Sequence, residues 1–314
     1  MKALKITAAV ILGLLILSAS ISAYTWINRE TRQYDEHKTF AGEKVGSVQV
    51  QTDSADLHLL PSNDDSVHID FTGKVIQGGF GDHDYQLVAG LEGDVLKVEL
   101  RREGKFQIGI YDARNVRFEV RLPEKLYAQL AVTAASADLQ LAGLRAEQMT
   151  VQSSSGDIQA KDLKGQKMQF ISSSGDQVLQ NLSGELVLES ASGDIGLRTW
   201  SGSQAVAKAS SGNLSLLDMS GPVRAHASSG DIRLAMTALQ EGLDLRTDSG
   251  DVRLALPDSA YFKLRFNTSS GSAAVDFPMT VKARDDHQLV AEIGDSGPEV
   301  RIATSSGDLS ISTR

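Results

Sequence analysis

The sequence predicts an all-β fold, a single-stranded β-solenoid (β-helix) of about 19-residue coils preceded by one N-terminal transmembrane helix. Three observations predict the solenoid. A six-residue element recurs ten times: TDSADL at 52, AASADL at 134, SSSGDI at 153, SSSGDQ at 172, SASGDI at 190, ASSGNL at 209, ASSGDI at 227, TDSGDV at 247, TSSGSA at 268 and TSSGDL at 304. From Ala137 through Gly156, Gly175, Gly193, Gly212, Gly230 and Gly250 to Gly271 the steps are 19, 19, 18, 19, 18, 20 and 21 residues, a near-constant period that marks one structural unit per repeat. Apolar and polar residues alternate with period 2 on both sides of the glycine, which is the periodicity of strands.

Taken in chain order, residues 1–27 come first. Lys2 and Lys5 precede an uncharged run from 6 to 27 that ends in Tyr24 and Trp26, long enough to cross about 30 Å of hydrocarbon as a helix. Small residues at Ser18-Ala19-Ser20 and Ser20-Ile21-Ser22 keep a cleaved signal peptide open as the rival. A short N-terminal arm and a long C-terminal body place the body outside the cytoplasm. Residues 28–44 are polar, mixed in charge and without hydrophobic periodicity, and read as a juxtamembrane linker.

The solenoid domain spans 45–314, with irregular first coils at 45–132 and regular coils at 133–314. In the first part strand-like alternation continues, with longer loops such as KVIQGGFGDHD. In the second part the inward positions are five and seven residues before each glycine (Phe170 and Met168, Leu188 and Leu186) and two and four after it (Ile158 and Ala160, Ile195 and Leu197). Stacking equivalent residues about 4.8 Å apart turns each position into an apolar ladder. A second mark, LKG at 163, LSG at 182, WSG at 200 and MSG at 219, divides each repeat into two strands and two turns. Gln177 stands where Ile or Leu is expected, which predicts a local distortion or an amide bonded to neighbouring backbone. Gly307 lies 36 residues after Gly271, close to two steps, as though one coil lacked the motif.

A coiling chain must turn at the same corner each time, and Gly156, Gly175, Gly193, Gly212, Gly230, Gly250, Gly271 and Gly307 supply the conformational freedom, including positive φ, that such corners commonly need. Ser and Asp side chains accept backbone N–H groups left unpaired by the turn. The competing reading is a calcium ladder along Asp157, Asp176, Asp194, Asp231, Asp251 and Asp308. Turn chemistry is preferred, because the Gly-Gly-x-Gly-x-Asp spacing of calcium solenoids is missing, Asn213 and Ser272 interrupt the column, and stacked exposed carboxylates repel by only about 1 kcal/mol.

Charge and residue inventory exclude several functions. A net charge of −9 without a basic and aromatic stripe argues against nucleic acid. With no cysteine there is no disulfide, thiolate metal site, cysteine nucleophile or lipid-anchored cysteine. His37, His58, His68, His83, His226 and His287 show no metal-ligand spacing, and no phosphate-cradling loop or nucleophile elbow occurs, so no cofactor and no catalytic residue is assigned. GDSGP at 294–298 reads as a tight turn before a strand, and Asp64-Asp65 and Asp285-Asp286 read as exposed charge.

The stretches VQVQTDSADLHLLPSNDD, VRFEVRLPEKLYAQLAVTAASADLQL and EVRIATSSGDLSIS, together with the Ser-Gly-Asp coils and the paired segments LPEKLYAQL and LPDSAYFKL, resemble the adhesin-like β-strand-repeat family of bacterial cell-envelope proteins from about Val48 to Arg314. Some members are one-span membrane proteins encoded beside Lia-type envelope-stress sensors. The resemblance implies a surface or sensory-accessory role and no catalytic residues. The expectation is therefore a membrane-tethered, extracytoplasmic, non-enzymatic scaffold whose partner is an envelope protein or a cell-wall glycan. The alternatives are an accessory regulator of an envelope-stress sensor and an envelope glycan-active β-helix enzyme.

Overall fold

The computed structural model describes Ser18 and residues 29–80, 83–104 and 108–314. Apart from Ser18, the expected membrane-spanning segment lies outside the described residues, and among these no helix is long and apolar enough to cross a membrane.

Each regular coil follows one path. A strand enters the Ser-Gly-Asp corner, a second leaves it, and the chain returns one rung higher. On the first face Val151 pairs in parallel with Phe170, then Leu188, Ala207, Ala225, Leu245 and Ile302 follow in one file. On the second face the file runs Ile158, Gln177, Ile195, Leu214, Ile232, Val252 and Leu309. Every member of both files is buried, so the period-2 pattern does place its apolar set inside. Each buried Ile or Leu contributes roughly 1.5–3 kcal/mol, and no single coil could shield its own.

The far side of the coil, read from sequence as one turn, contains two bends. At the first, Gly143, Asp162, Asn181, Thr199 and Asp218 all adopt left-handed backbone, with φ between 56° and 67°. At the second, Gly165, Gly184, Gly202 and Gly221 stack so closely that a Cβ on Gly184 would lie 1.7 Å from the Gly165 carbonyl oxygen. Between the bends runs a buried file of Leu163, Leu182, Trp200 and Met219. The Trp200 indole Nε1 donates to the Gly184 carbonyl at 2.9 Å, which satisfies its one polar atom inside the core.

Gln177 fits the file without distorting it. Its Nε2 donates to the Glu189 carbonyl at 2.7 Å and to the Ser172 hydroxyl at 3.0 Å. The amide has taken the second of the two outcomes its position predicts.

Both ends depart from the expected run of coils. The described part of the expected linker, residues 29–44, is structured: Arg29–Ala41 is a strand paired antiparallel with Ser66–Phe80, which pairs in turn with Ile108–Leu122. The pattern misled because this strand lies at a sheet edge and buries only Tyr34, leaving no alternation to read. Nor do the described residues between 66 and 122 form irregular coils with long loops. KVIQGGF belongs to the long strand Ser66–Phe80, and His83–Glu92 forms a hairpin with Val95–Gly104. Tyr34, Phe71, Tyr85 and Phe118 close this end as an aromatic cluster, with ring centroids 5.1–6.5 Å apart.

The coils are also not stacked in sequence order. Ser47–Thr52 lies between Val95–Gly104 and Leu126–Ala134, and Leu57–Pro61 lies between Ile108–Leu122 and Leu139–Ala142. At the opposite end Glu299–Ser306 lies between Leu243–Ser249 and Phe262–Ser270, and Leu309–Thr313 lies between Val252–Leu256 and Ala273–Val275. The 36-residue step to Gly307 is therefore no missing coil. The intervening chain makes the antiparallel pair Thr280–Arg284 and Gln288–Ile293, which covers the edge of the first face, and the last coil returns to fill the rung beneath.

Candidate functional site

The repeated corner comes first, because its residues are the conspicuous polar ladder. Asp138 Oδ1 accepts the backbone N–H of Asp157, Asp157 that of Asp176, and Asp176 that of Asp194, at 2.9, 2.9 and 2.8 Å. The chain of bonds continues through Asn213, Asp231, Asp251 and Asp308 to Ser272. Asn213 does not interrupt it, since its Oδ1 presents the same acceptor to Asp231 N–H at 3.0 Å. The six aspartates do form one file, and each uses an oxygen to tie its rung to the next. Among the described residues no three His, Asp or Glu side chains converge as metal ligands.

Serine closes the same corner from inside. The buried Ser153 hydroxyl accepts Gly156 N–H at 3.0 Å and donates to the Gly156 carbonyl at 2.8 Å. The glycine has a different reason from the expected one. Gly156, Gly175, Gly193, Gly212 and Gly230 are not in positive-φ backbone. They are required because a Cβ would collide with the carbonyl one rung below, at 1.9 Å for Gly156 and 2.1 Å for Gly175. Gly250, Gly271 and Gly307 do adopt positive φ, at 154°, 157° and 154°, as expected, while at the far side of the coil positive φ is carried mostly by residues other than glycine.

A second cluster lies on the outer side of the second face, at the N-terminal end. Antiparallel pairing of His37, Asp70 and Glu119 and parallel pairing of Glu119, His58 and Gln140 bring these residues into one transverse row over five strands. His37 Nδ1 is 2.5 Å from Asp70 Oδ1 and Nε2 is 3.0 Å from Asp35 Oδ1. Asp70 also accepts from Arg121 Nη2, while the buried Glu119 lies between Arg117 and Arg121. Hydrogen bonds to Asp70 and Asp35 raise the His37 pKa. Burial alone would raise Asp70, but the bonds from His37 and Arg121 outweigh it and hold the carboxyl below its ordinary value. With both ring nitrogens held by carboxylates, His37 has neither free to take a proton from a substrate. No sequence motif announces this row, because its members come from distant segments that only the strand pairing brings together.

The third region is the outer side of the first face. There, the column Thr150, Gln169, Val187 and Val206 is uncharged, and it passes into Arg224, Asp244, Arg301 and Arg265 toward the C-terminal end. The neighbouring column includes Lys208, His226 and Arg246 on successive rungs and continues into Ala303 and Asn267. These side chains lie on a sheet rather than in a cleft, and they repeat once per rung.

The remaining candidates take turn roles. GDSGP is the bend between Gln288–Ile293 and Glu299–Ser306, and a Cβ on Gly297 would meet the Tyr261 carbonyl at 2.0 Å. Asp64 accepts Ser66 N–H at 2.9 Å and pairs with His68, and Asp285 accepts His287 N–H at 2.8 Å.

The fold occurs in solved structures of low sequence identity. A candidate adhesin from Parabacteroides merdae is 13% identical with a TM-score of 0.50, covering 91% of this chain and 96% of that one. A candidate adhesin from Parabacteroides distasonis is 11% identical with a TM-score of 0.47, covering 88% and 97%. One from Bacteroides fragilis is 11% identical with a TM-score of 0.43, covering 89% and 97%. No curated protein matches the sequence. Residues 45–312, the coils together with both interleaved ends, match the Toastrack DUF4097 family, and the chain belongs to that family.

Proposed function

We propose that the protein is a non-catalytic binding scaffold of the bacterial cell envelope, tethered to the cell membrane through residues 6–27 with the solenoid outside the cytoplasm. One observation carries the reading. The outward columns of the first face continue rung after rung on an open sheet, so the surface offers regularly spaced side chains for an extended partner. The carboxylates of the Asp ladder and both nitrogens of His37 are engaged within the protein, which supports a binding role over an acid–base one. The uncharged run at 6–27 supports the tether.

Crosslinking on intact cells followed by mass spectrometry tests this. The scaffold predicts recurrent crosslinks from outward positions of the first face to an envelope protein or cell-wall glycan. Crosslinks confined to a single membrane sensor would replace it with the regulatory reading, and turnover of an envelope glycan by the purified chain would replace it with the enzymatic one. N-terminal sequencing of the mature protein separates an anchor from a removed leader.

A further inference from the structure

The first face is not uniform, and its C-terminal half carries a feature that the scaffold reading leaves unassigned. Two contiguous depressions, of about 300 and 630 Å³, lie on its outer side and share Arg224 and Asp244. Pro222 and Gly242, which carry no long side chain, line the smaller depression. The lining holds four permanent cations, Lys208, Arg224, Arg246 and Arg301, against two carboxylates, Asp244 and Glu299, a balance of +2 (4 − 2) in a chain whose net charge is −9.

The two carboxylates are already committed, and Lys208 makes an exposed pair with Glu189 at 3.2 Å that an incoming carboxylate would have to share or displace. Arg246 holds Asp244 through two bonds of 2.9 Å, and Arg301 holds Glu299 at 2.5 Å. The side chain of Arg224, at the junction of the depressions, is exposed and makes no hydrogen bond or ion pair among the described residues, and the same is true of the His226 side chain. Lys208, His226 and Arg246 occupy successive rungs, so the outer two are about 10 Å apart, close to one Debye length at physiological salt. Their fields overlap along the stacking direction.

Resting on the scaffold reading, we propose that this strip binds an acidic polysaccharide, a glycan bearing carboxylates on successive sugars, laid along the stack with its anions over Arg224 and Lys208. The repeat of the cations is one per rung, which suits a polymer that repeats its charge. No Phe, Tyr or Trp lines either depression, which removes the broad stacking platform that neutral sugars and single-stranded nucleic acid use.

The test is titration of the full-length chain in detergent with polygalacturonate, its fully methyl-esterified form, poly-glutamate and polyphosphate. Polygalacturonate binds, with affinity falling as salt rises, and the esterified form does not. Arg224→Gln lowers the affinity about tenfold, Lys208→Gln adds to the loss, and Arg233→Gln on the opposite face changes nothing. Arg224 and Arg233 are both exposed and unpaired, so unchanged melting temperatures confirm that neither variant perturbs the fold. Equal binding of poly-glutamate or polyphosphate, or loss of binding in Arg233→Gln, overturns the assignment. Absence of polygalacturonate binding also overturns it; crosslinking of a different partner to the first face would in that case leave the scaffold reading standing.

Discussion

The carboxylate of Asp157 accepts the backbone N–H of Asp176 at 2.9 Å, across 19 residues of sequence and one rung of space. The repeated acid is thus a bracket between coils, and its charge is incidental to the bond it makes. Asp157→Asn retains the acceptor, as Asn213 does naturally, and leaves the melting temperature nearly unchanged. Asp157→Ala removes it and costs about 1 kcal/mol, read by chemical denaturation.

Gly175→Ala puts a methyl group 2.1 Å from the Gly156 carbonyl, against backbone that cannot move without shifting the rung below. The expected loss is at least about 2 kcal/mol, greater than the cost of removing any one exposed side chain from the same corner. A stability equal to that of the parent protein would show that the rungs are not in close contact there.

Thr199 is a β-branched residue in left-handed backbone, with φ of 65°, at the position Asn181 occupies one coil earlier with φ of 58°. Its side chain is exposed. Thr199→Asn relieves the conformational strain without altering the core and stabilises the protein by roughly 0.5–1 kcal/mol, read from the denaturation midpoint.

The His37–Asp70 pair gives the N-terminal ribbon a pH window. His37 is raised in the folded state, so its contribution is complete below the ordinary histidine value near 6.5 and is lost as pH rises through the folded value. Asp70 is lowered, so its contribution is complete above the ordinary carboxylate value near 4 and is lost as pH falls through the folded value. Hydrogen exchange of Arg29–Ala41 is slowest between about pH 4 and 6.5 after correction for intrinsic rates, and His37→Gln removes the upper limb.

The regular coils were readable because each residue's inward or outward position is set by its distance from a glycine, and that distance recurs. Ile158, Ile195 and Ile232 share a file for that reason. The corner residues were readable as types, but their partners were not: the Asp bond reaches the next rung, and the glycine answers to a carbonyl 19 residues away. Neither fact is local. The ends were not readable, because Arg29–Ala41 pairs with Ser66–Phe80 over mostly exposed side chains, and antiparallel register between distant segments leaves no mark in either one. The His37 row inherits that difficulty. The cationic strip was hidden in a chain that is acidic overall, since Lys208, Arg224 and Arg246 are separated by 16 and 22 residues and meet only through stacking.

The interleaving of Ser47–Pro61 and Glu299–Thr313 makes each end of the stack a latch. The strands Leu243–Ser249 and Phe262–Ser270 have to leave a slot between them until residues 299–306 have been synthesised, so assembly cannot zip from the first residue to the last, and closure waits on contacts of long sequence separation. The same arrangement divides the chain by its tolerance to change in length. A whole coil can be gained or lost between 145 and 236 with both latches intact, whereas a coil inserted inside either interleaved end would have to break one.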